Sequence, residues 1–365
     1  MNARATAFAA GALALSASLV ASAEPMDPAF ERLVVDSSCR TDAAAFVPGG
    51  TADNPTWCKP DNLAFKKLVN QLGFALAPTA MHSARTTGYG GFDVAIEGDF
   101  TKISGGADYW KRGTRGAVDA STGQASTSNA DPASILQLYS INIRKGFGFG
   151  LELAGTVGFM PQTSLFSGGA DVRISLLEGF RKGALGIFPD LAVGGGVRTI
   201  TGTPQLQLTV ASLDAQISKP LPIQDSSILT PWIGYQHLWI FADSGQVDLT
   251  PATDAQGYCG YAGNNVPGNP DPNKPGEFDG QPICTAPGPN AHLDFNNNAV
   301  FEAARLERHR VIAGINYRYE MVQVGGQFIT DIVPPADAQS SAQDKADLKG
   351  EDRQWTISFQ VGAAF

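Results

Sequence analysis

The last stretch of the chain, residues 354–365, constrains the fold more than any other. Apolar side chains occupy every second position from Trp355 to Phe365, and the residues between them are polar or small. A period of two places successive side chains on opposite faces of a β-strand, so one face meets an apolar medium and the other a polar one. About 10 residue steps extend about 33 Å, which lets a strand tilted by about 40° cross the apolar part of a bilayer.

The same alternation recurs along the chain and predicts about ten strands, or twelve if residues 74–87 add two more. As drawn, the longer runs span about 10–14 residues, whereas the strands of a soluble β-sandwich run to about 5–6. The pattern therefore predicts an all-β, antiparallel up-and-down barrel that crosses a membrane. The predicted strands lie at 92–100, 135–143, 147–159, 172–176, 191–197, 206–210, 228–242, 311–319, 322–328 and 354–365.

The connections between the predicted strands give an independent check of this topology. Connections near 145–147, 178–188, 218–227 and 319–321 are modest and fall on one side of the barrel. The long ones, at 103–133, 243–303 and 332–353, all fall on the other side. Bacterial membrane barrels separate short turns from long loops in this way.

Composition and the first residues indicate where such a chain resides. Residues 1–23 carry Arg4, an apolar run from Ala7 to Val20 and then Ala21-Ser22-Ala23, which predicts a secretory signal peptide cut before Glu24. A retained membrane anchor is the alternative, but the apolar run is short for one. The mean hydropathy of -0.08 is too polar for a helical membrane protein, and a net charge of -9 argues against a nucleic-acid partner.

The terminal row Trp355, Ile357, Phe359, Val361 and Phe365 resembles the carboxy-terminal strand of Gram-negative outer-membrane β-barrel proteins, a porin-like class. In that class the final Phe and its alternating row form the signal that the barrel-assembly machinery reads. The resemblance covers roughly residues 88–365 and implies an outer-membrane location with a periplasmic carboxy-terminus. It also implies lipids and lipopolysaccharide as surroundings. It points to no characterised subfamily, so no functional residue is carried over.

Residues 24–87 precede the predicted barrel and contain one amphipathic stretch. Apolar side chains, among them Leu68 and Leu72, recur at helical spacing and predict a short helix over 62–72. Asp61 is suited to cap its start and Gly73 to end it. The helix can plug the barrel, cover its periplasmic rim, or simply lead into the first strand.

The four cysteines, Cys39, Cys58, Cys259 and Cys284, predict disulfides in an exported chain. Pairing within each neighbouring couple is favoured, because predicted barrel strands separate the two couples. Metal binding by these cysteines is disfavoured, since no C-x-x-C spacing is present.

The alternation of inward and outward positions along each strand, here called parity, places six charged side chains in the lumen. On the first strand these are acidic; on the strand that descends from the largest loop they are basic. The two groups are expected to share a level, where they either pair and close the lumen or line opposite walls of a constriction. The residues are Asp93, Glu97, Asp99, Arg308, Arg310 and Arg318.

No residue is assigned to catalysis, to a metal or to a cofactor. His237 and His309 lie on adjacent predicted strands, but parity turns His309 outward and no serine nucleophile motif accompanies them. The oxygen-rich stretch 294–298 opens like a calcium loop and lacks its glycine and its closing glutamate, and residues 271–279 are similarly incomplete. A solvated acidic loop is the simpler interpretation of both.

Two functions compete on this evidence. Glycines on inward positions, such as Gly194 and Gly314, remove side-chain volume and favour passage of a small solute through a narrow lumen. A barrel of about ten strands is otherwise close to the size that side chains fill, which favours a structural or adhesive barrel that displays its acidic loops. An outer-membrane hydrolase is the least favoured alternative.

Overall fold

The computed structural model describes residues 24–36, 58–118, 128–178, 188–224, 226–249 and 298–365. Ten long antiparallel strands form one closed barrel, in which each strand pairs with the next along the chain and the tenth pairs with the first. The predicted ten-stranded up-and-down barrel is therefore confirmed. The strands are β1 (Phe92–Lys102), β2 (Ile135–Gly146), β3 (Leu151–Phe159), β4 (Phe166–Leu177), β5 (Asp190–Thr201), β6 (Leu206–Ser218), β7 (Ser227–Ser244), β8 (Ala304–Tyr319), β9 (Val322–Asp331) and β10 (Trp355–Ala364).

The two ends of the barrel differ. The turns after β2, β4, β6 and β8, the start of β1 and the end of β10 lie at one end, here called the short-turn end. The connections after β1, β7 and β9 lie at the other, the long-loop end. β3 begins at Leu151, later than the alternation predicted, because Phe149 adopts a φ of 62° and belongs to the preceding turn. Three short strands accompany the barrel: Leu221–Gln224, which pairs with β7, and Val247–Asp248, which pairs with Asn298–Ala299.

The outer face of the barrel is apolar. Ile96 and Val157 are each 63% exposed, and in the terminal row Phe359 and Val361 are 58% and 57% exposed. A closed sheet that turns such side chains outward along its whole circumference is stable only in an apolar surrounding. Aromatic pairs such as Phe328 and Trp355, with ring centroids 6.3 Å apart, lie toward the long-loop end of this face.

Three α-helices are described: α1 (Asn62–Leu76), α2 (Asp108–Gly113) and α3 (Ala342–Asp347). Single 3-10 turns occur at Phe30–Arg32 and Gly148–Gly150. The Asp61 carboxylate caps α1 by accepting from the Ala64 amide. The helix predicted near the amino-terminus is confirmed, but it does not end at Gly73. None of these helices is both long and apolar enough to cross a membrane.

Gly73 is a contact residue of α1. A Cβ there would lie 2.6 Å from Ile240 Cγ2 on the inner wall, so only glycine allows the helix to approach β7 this closely. The sequence pattern placed Gly73 at the end of the helix, since glycine is common both at helix ends and where a helix closely approaches another element.

Candidate functional site

The amino-terminal segment runs through the barrel from the long-loop end to the short-turn end. Near its start, the Met26 amide donates to the carbonyl of Gln162, in the turn between β3 and β4 at the long-loop end. Near its finish, the Thr87 amide donates to Glu152 Oε2 at 2.7 Å, beside the short-turn end. Residues 61–87, here called the plug, therefore occupy the lumen, and the chain then turns into β1.

An apolar layer surrounds the first part of the plug. Phe65 on α1 stacks on Phe301 with ring centroids 5.0 Å apart and meets the edge of Phe30 at 5.3 Å. Trp110 of α2 is also buried. Burial of such side chains is the main favourable term in helix packing. Further buried members of this layer are Leu33, Leu68, Leu72, Leu138, Leu206, Leu208, Leu238, Ile240 and Leu306.

Gln71 fixes the rotation of α1 within this apolar layer. Its amide nitrogen donates to Tyr109 Oη at 2.8 Å and to Glu351 Oε2 at 3.0 Å. Its amide oxygen accepts from the Trp110 indole and from the Ser104 amide, both at 2.9 Å. Burial and the hydrogen bond to Glu351 raise the pKa of Tyr109, so its hydroxyl keeps its proton and donates.

Two buried arginines of β8 hold the middle of the plug. Arg308 forms an ion pair with Asp331, and their side chains are 0% and 1% exposed. Arg308 also donates to Asn70 Oδ1 on α1 at 3.0 Å. Arg310 donates to the carbonyls of Phe74 at 3.1 Å and Pro78 at 2.7 Å, so it closes the end of the helix. Both guanidinium groups lie over the Phe74 ring, with their Cζ atoms 4.8 Å and 4.9 Å from its centroid.

Beyond α1 the plug is extended, and side chains of the wall satisfy its carbonyls. Gln236 donates to Pro78 O at 3.1 Å, and Gln327 donates to Thr79 O at 3.1 Å. Gln216 donates to Ala80 O at 3.0 Å, and Arg173 donates to Ser83 O at 3.2 Å. A buried backbone outside a helix or sheet needs such partners. The wall thus binds the plug backbone rather than only filling space.

The lumen around this extended part carries opposed charges. Arg144 pairs with Asp93 at 2.9 Å, Arg173 with Asp214 at 3.1 Å and Arg198 with Asp171 at 3.4 Å. All of these groups except Asp93 line a cavity of about 30 Å³, room for about two water molecules. The residues that line it include Thr79, His82, Glu97, Asn142, Glu152 and Gln360.

Five of the six predicted lumen charges are buried. Asp93, Glu97 and Asp99 are buried, and so are Arg308 and Arg310. Glu97 accepts from Thr79 and from Asn142, each at 2.5 Å, and among the described residues no ion pair joins Glu97 or Asp99 to the two arginines. Arg318 is exposed at the short-turn end, where its Nε donates to Glu320 O at 2.8 Å.

Some residues of this site were missed although parity marks them. Asp331 ends the inward row Gln323, Gln327 and Asp331 of β9, and Arg144 stands on the inward row of β2. Parity finds them once each strand end is known. Parity does not show which of these side chains contact the plug, because the distance that the plug extends into the barrel leaves no periodic pattern in the sequence.

Inward glycines make room for the plug. A Cβ on Gly196 would lie 1.9 Å from Asp171 Oδ1 and 3.2 Å from Pro78 Cγ. A Cβ on Gly325 would lie 3.4 Å from Met81 Cε. The volume that these glycines remove from the wall is thus occupied by protein, which weakens the inference that they open a passage.

Several predicted features fall outside the described residues: the signal peptide, Cys39, Cys259, Cys284 and the oxygen-rich residues 271–279 and 294–297. Cys58 is described and is buried in the apolar layer. The disulfide pairings therefore remain predictions.

Comparisons with known proteins give matches only among solved structures. No protein-family model and no curated protein matches the chain. Among solved structures, Ail, the attachment invasion locus protein of Yersinia pestis, is 8% identical, with a TM-score of 0.24 over 76% of this chain and 99% of that chain. Omp33 of Acinetobacter baumannii is 7% identical, with a TM-score of 0.23 over 77% and 100%. The translocator domain of NalP from Neisseria meningitidis is 9% identical, with a TM-score of 0.29 over 76% and 88%.

Proposed function

We propose that this chain is an integral outer-membrane barrel that its own plug keeps closed, and that it acts at the cell surface as a structural or adhesive barrel rather than as an enzyme or a passive pore. The observation that carries the proposal is the plug itself. It runs the length of the lumen, and wall side chains donate hydrogen bonds to its carbonyls at Phe74, Pro78, Thr79, Ala80 and Ser83.

The membrane assignment rests on the outer face and on the chain ends. The exposed apolar band and the terminal row from Trp355 to Phe365 suit a barrel that lipids surround and that the assembly machinery inserts. With a signal peptide at residues 1–23 and a periplasmic carboxy-terminus, the long-loop end faces the outside. Lipopolysaccharide then surrounds this end.

The long-loop end suits a surface role. The connections after β1, β7 and β9 start and end there, and residues 243–303 contain Lys274 as their only lysine or arginine. An acidic surface of this kind favours basic or cation-bridged partners. The apolar layer and α2 close the lumen directly beneath it, so a ligand bound at this surface has no open route inward.

Conductance tests the proposal. Purified protein, reconstituted in planar bilayers, is expected to show no stable open steps, because the plug and the apolar layer around α1 fill the lumen and leave no path for a hydrated ion. An open general porin, inserted from the same detergent, is the control for detection. Stable openings in the unmodified protein would contradict a closed lumen and return the assignment to solute passage.

Gated passage is a second candidate, favoured by the asymmetry of the lumen. A further cavity of about 90 Å³ lies toward the short-turn end, lined by His82, Arg85, Asp93, Arg144 and Arg318 among others. Passage from there requires the plug to leave the wall. Rare openings that become frequent after Arg310→Ala, which removes two bonds to plug carbonyls, would support gating, whereas silence in both proteins supports the structural role.

A further inference from the structure

A cluster of potential metal ligands lies on the outer face of the barrel, apart from the lumen. His237 on β7 stands directly opposite His309 on β8, and Glu307 lies two residues further toward the long-loop end. One ligating atom from each of the three lies within 4.8 Å of the others. The neighbours Leu238 and Arg308 point into the barrel and are 0% exposed, so the cluster points away from it.

The three side chains are oriented by groups around them. Tyr235 Oη lies 2.7 Å from His309 Nδ1, which leaves Nε2 as the nitrogen open to an ion. Trp239 stacks on the His237 ring with centroids 4.2 Å apart and planes at 16°. Ser340, in the connection after β9, donates to Glu307 Oε1 at 3.0 Å and leaves Oε2 free to ligate. Partners of this kind orient the ligands of metal sites.

One atom of the cluster lacks a satisfying partner. His237 Nε2 is shielded from solvent and accepts or donates no hydrogen bond, although Glu307 Oε2 lies 3.4 Å away. A shielded imidazole nitrogen that faces a carboxylate and a second imidazole is arranged as metal ligands are. An aromatic belt at a membrane interface explains the stacking. It does not explain why a carboxylate completes the group.

We propose that His237, Glu307 and His309 bind a divalent transition-metal ion of the Zn²⁺ class. Two imidazoles and one carboxylate suit Zn²⁺, whereas Ca²⁺ and Mg²⁺ require sets of oxygen ligands. Three protein ligands leave one position of a tetrahedral ion for water or for an oxygen of a neighbouring lipid headgroup. The ion would join β7 to β8 near the place where β9 ends. Because Ser340 donates to Glu307, the ion would also hold the connection after β9 in position.

The experiment is a calorimetric titration with ZnCl₂ of untagged, refolded protein in zwitterionic detergent micelles. We expect one equivalent of Zn²⁺ to bind, and neither Ca²⁺ nor Mg²⁺ to compete. His237→Asn, His309→Asn and Glu307→Gln should each abolish this binding. Tyr235→Phe should weaken it about tenfold, as loss of an orienting partner does.

Matched controls are Glu302→Gln and Glu320→Gln, which change exposed glutamates outside the cluster and should leave the binding intact. Because the ligands lie on the outer face, the variants should keep the circular dichroism and the heat-modifiable gel mobility of a folded barrel. Absence of Zn²⁺ binding by the unmodified protein would overturn the proposal. So would binding that survives in all three folded ligand variants, or that the controls remove.

Discussion

The two halves of the lumen hold the plug by different physical means. Toward the long-loop end, α1 packs its apolar face against leucine, isoleucine and phenylalanine side chains of the wall and of the loops. Toward the short-turn end, the plug is extended, and arginine and glutamine side chains of the wall bind its carbonyls. The lumen is thus closed twice, once by packing and once by hydrogen bonds.

The backbone of the plug explains the difference. A helix satisfies its own amides and carbonyls, so α1 needs only an apolar surface of the right shape. The extended residues after Leu76 carry carbonyls without helical partners, and a buried carbonyl without a partner costs about 1–3 kcal/mol. A polar wall is therefore required where the helix ends, and Arg310 stands at that transition.

The largest expected effect comes from the ion pair at this transition. Asp331→Ala leaves Arg308 buried without its counter-charge and should lower the free energy of unfolding by about 3–5 kcal/mol. The free energy of unfolding is measured by urea unfolding in micelles, with tryptophan fluorescence as the signal. The matched control is Asp243→Ala, which breaks the ion pair of Asp243 with Arg305 on the outer face, where the side chains are 47% and 49% exposed, and should cost less than about 1 kcal/mol.

The double variant Arg308→Met/Asp331→Leu sharpens this test. Replacement of both charges by apolar side chains removes the unpaired charge and should recover most of the loss. If the single and the double variants were equally unstable, the pair would act through its contacts with Asn70 and Phe74 rather than through its charge balance.

Much of the barrel was predictable because its signal is local. An apolar medium outside and a protein interior inside impose a period of two on each strand, and the row from Trp355 to Phe365 shows this without knowledge of any contact. The helix at the amino-terminus was equally local, with Asp61 at its cap. The strand ends were less certain, because Phe147 and Phe149 continue the alternation into a turn.

The candidate site was predictable only in part. Parity selected Arg308 and Arg310, but it could not choose between a pair with Glu97 or Asp99 and a pair with Asp331. Asp331 stands opposite Arg310 in the pairing of β8 with β9, and Asn70 on α1 reaches Arg308 because Gly73 fits closely against Ile240. Close packing of this kind leaves no periodic pattern in the sequence. The glycines of the wall suggested an open lumen because the sequence does not show that the plug fills the space beside them.

A smaller loss of stability, which a second substitution should partly reverse, is expected in the apolar half of the lumen. Gly73→Ala adds a methyl group 2.6 Å from Ile240 Cγ2 and should destabilise the protein by about 1–3 kcal/mol, although alanine favours a helix. Ile240→Val in the same chain should recover part of this loss, since it removes volume from the contact. Gly106→Ala, where a Cβ meets nothing within 4 Å, is the control and should be close to neutral. A failure of Ile240→Val to recover stability would indicate that the contact differs from the packing described.

The smallest effect concerns the outer edge of the apolar half, where Lys66 on α1 joins α3. Its Nζ lies 2.8 Å from Asp344 and 2.5 Å from Asp347. Burial lowers the pKa of Lys66, but the hydrogen bonds to the two carboxylates outweigh it, so the pKa lies above the ordinary value of 10.5. Because the folded state holds this proton more tightly, the stabilisation is complete below pH 10.5 and is lost as the pH rises through the folded pKa.

The measurement is the difference in the free energy of unfolding between the unmodified protein and Lys66→Met, taken as a function of pH. This difference removes the titration of the other lysines and of the tyrosines, which both proteins share. It should stay constant, at less than about 1 kcal/mol per pair, up to about pH 10 and then decrease. A difference that is absent at neutral pH would mean that α3 does not hold the plug. One that persists unchanged at about pH 12 would mean that Lys66 acts through its methylene chain and not through its charge.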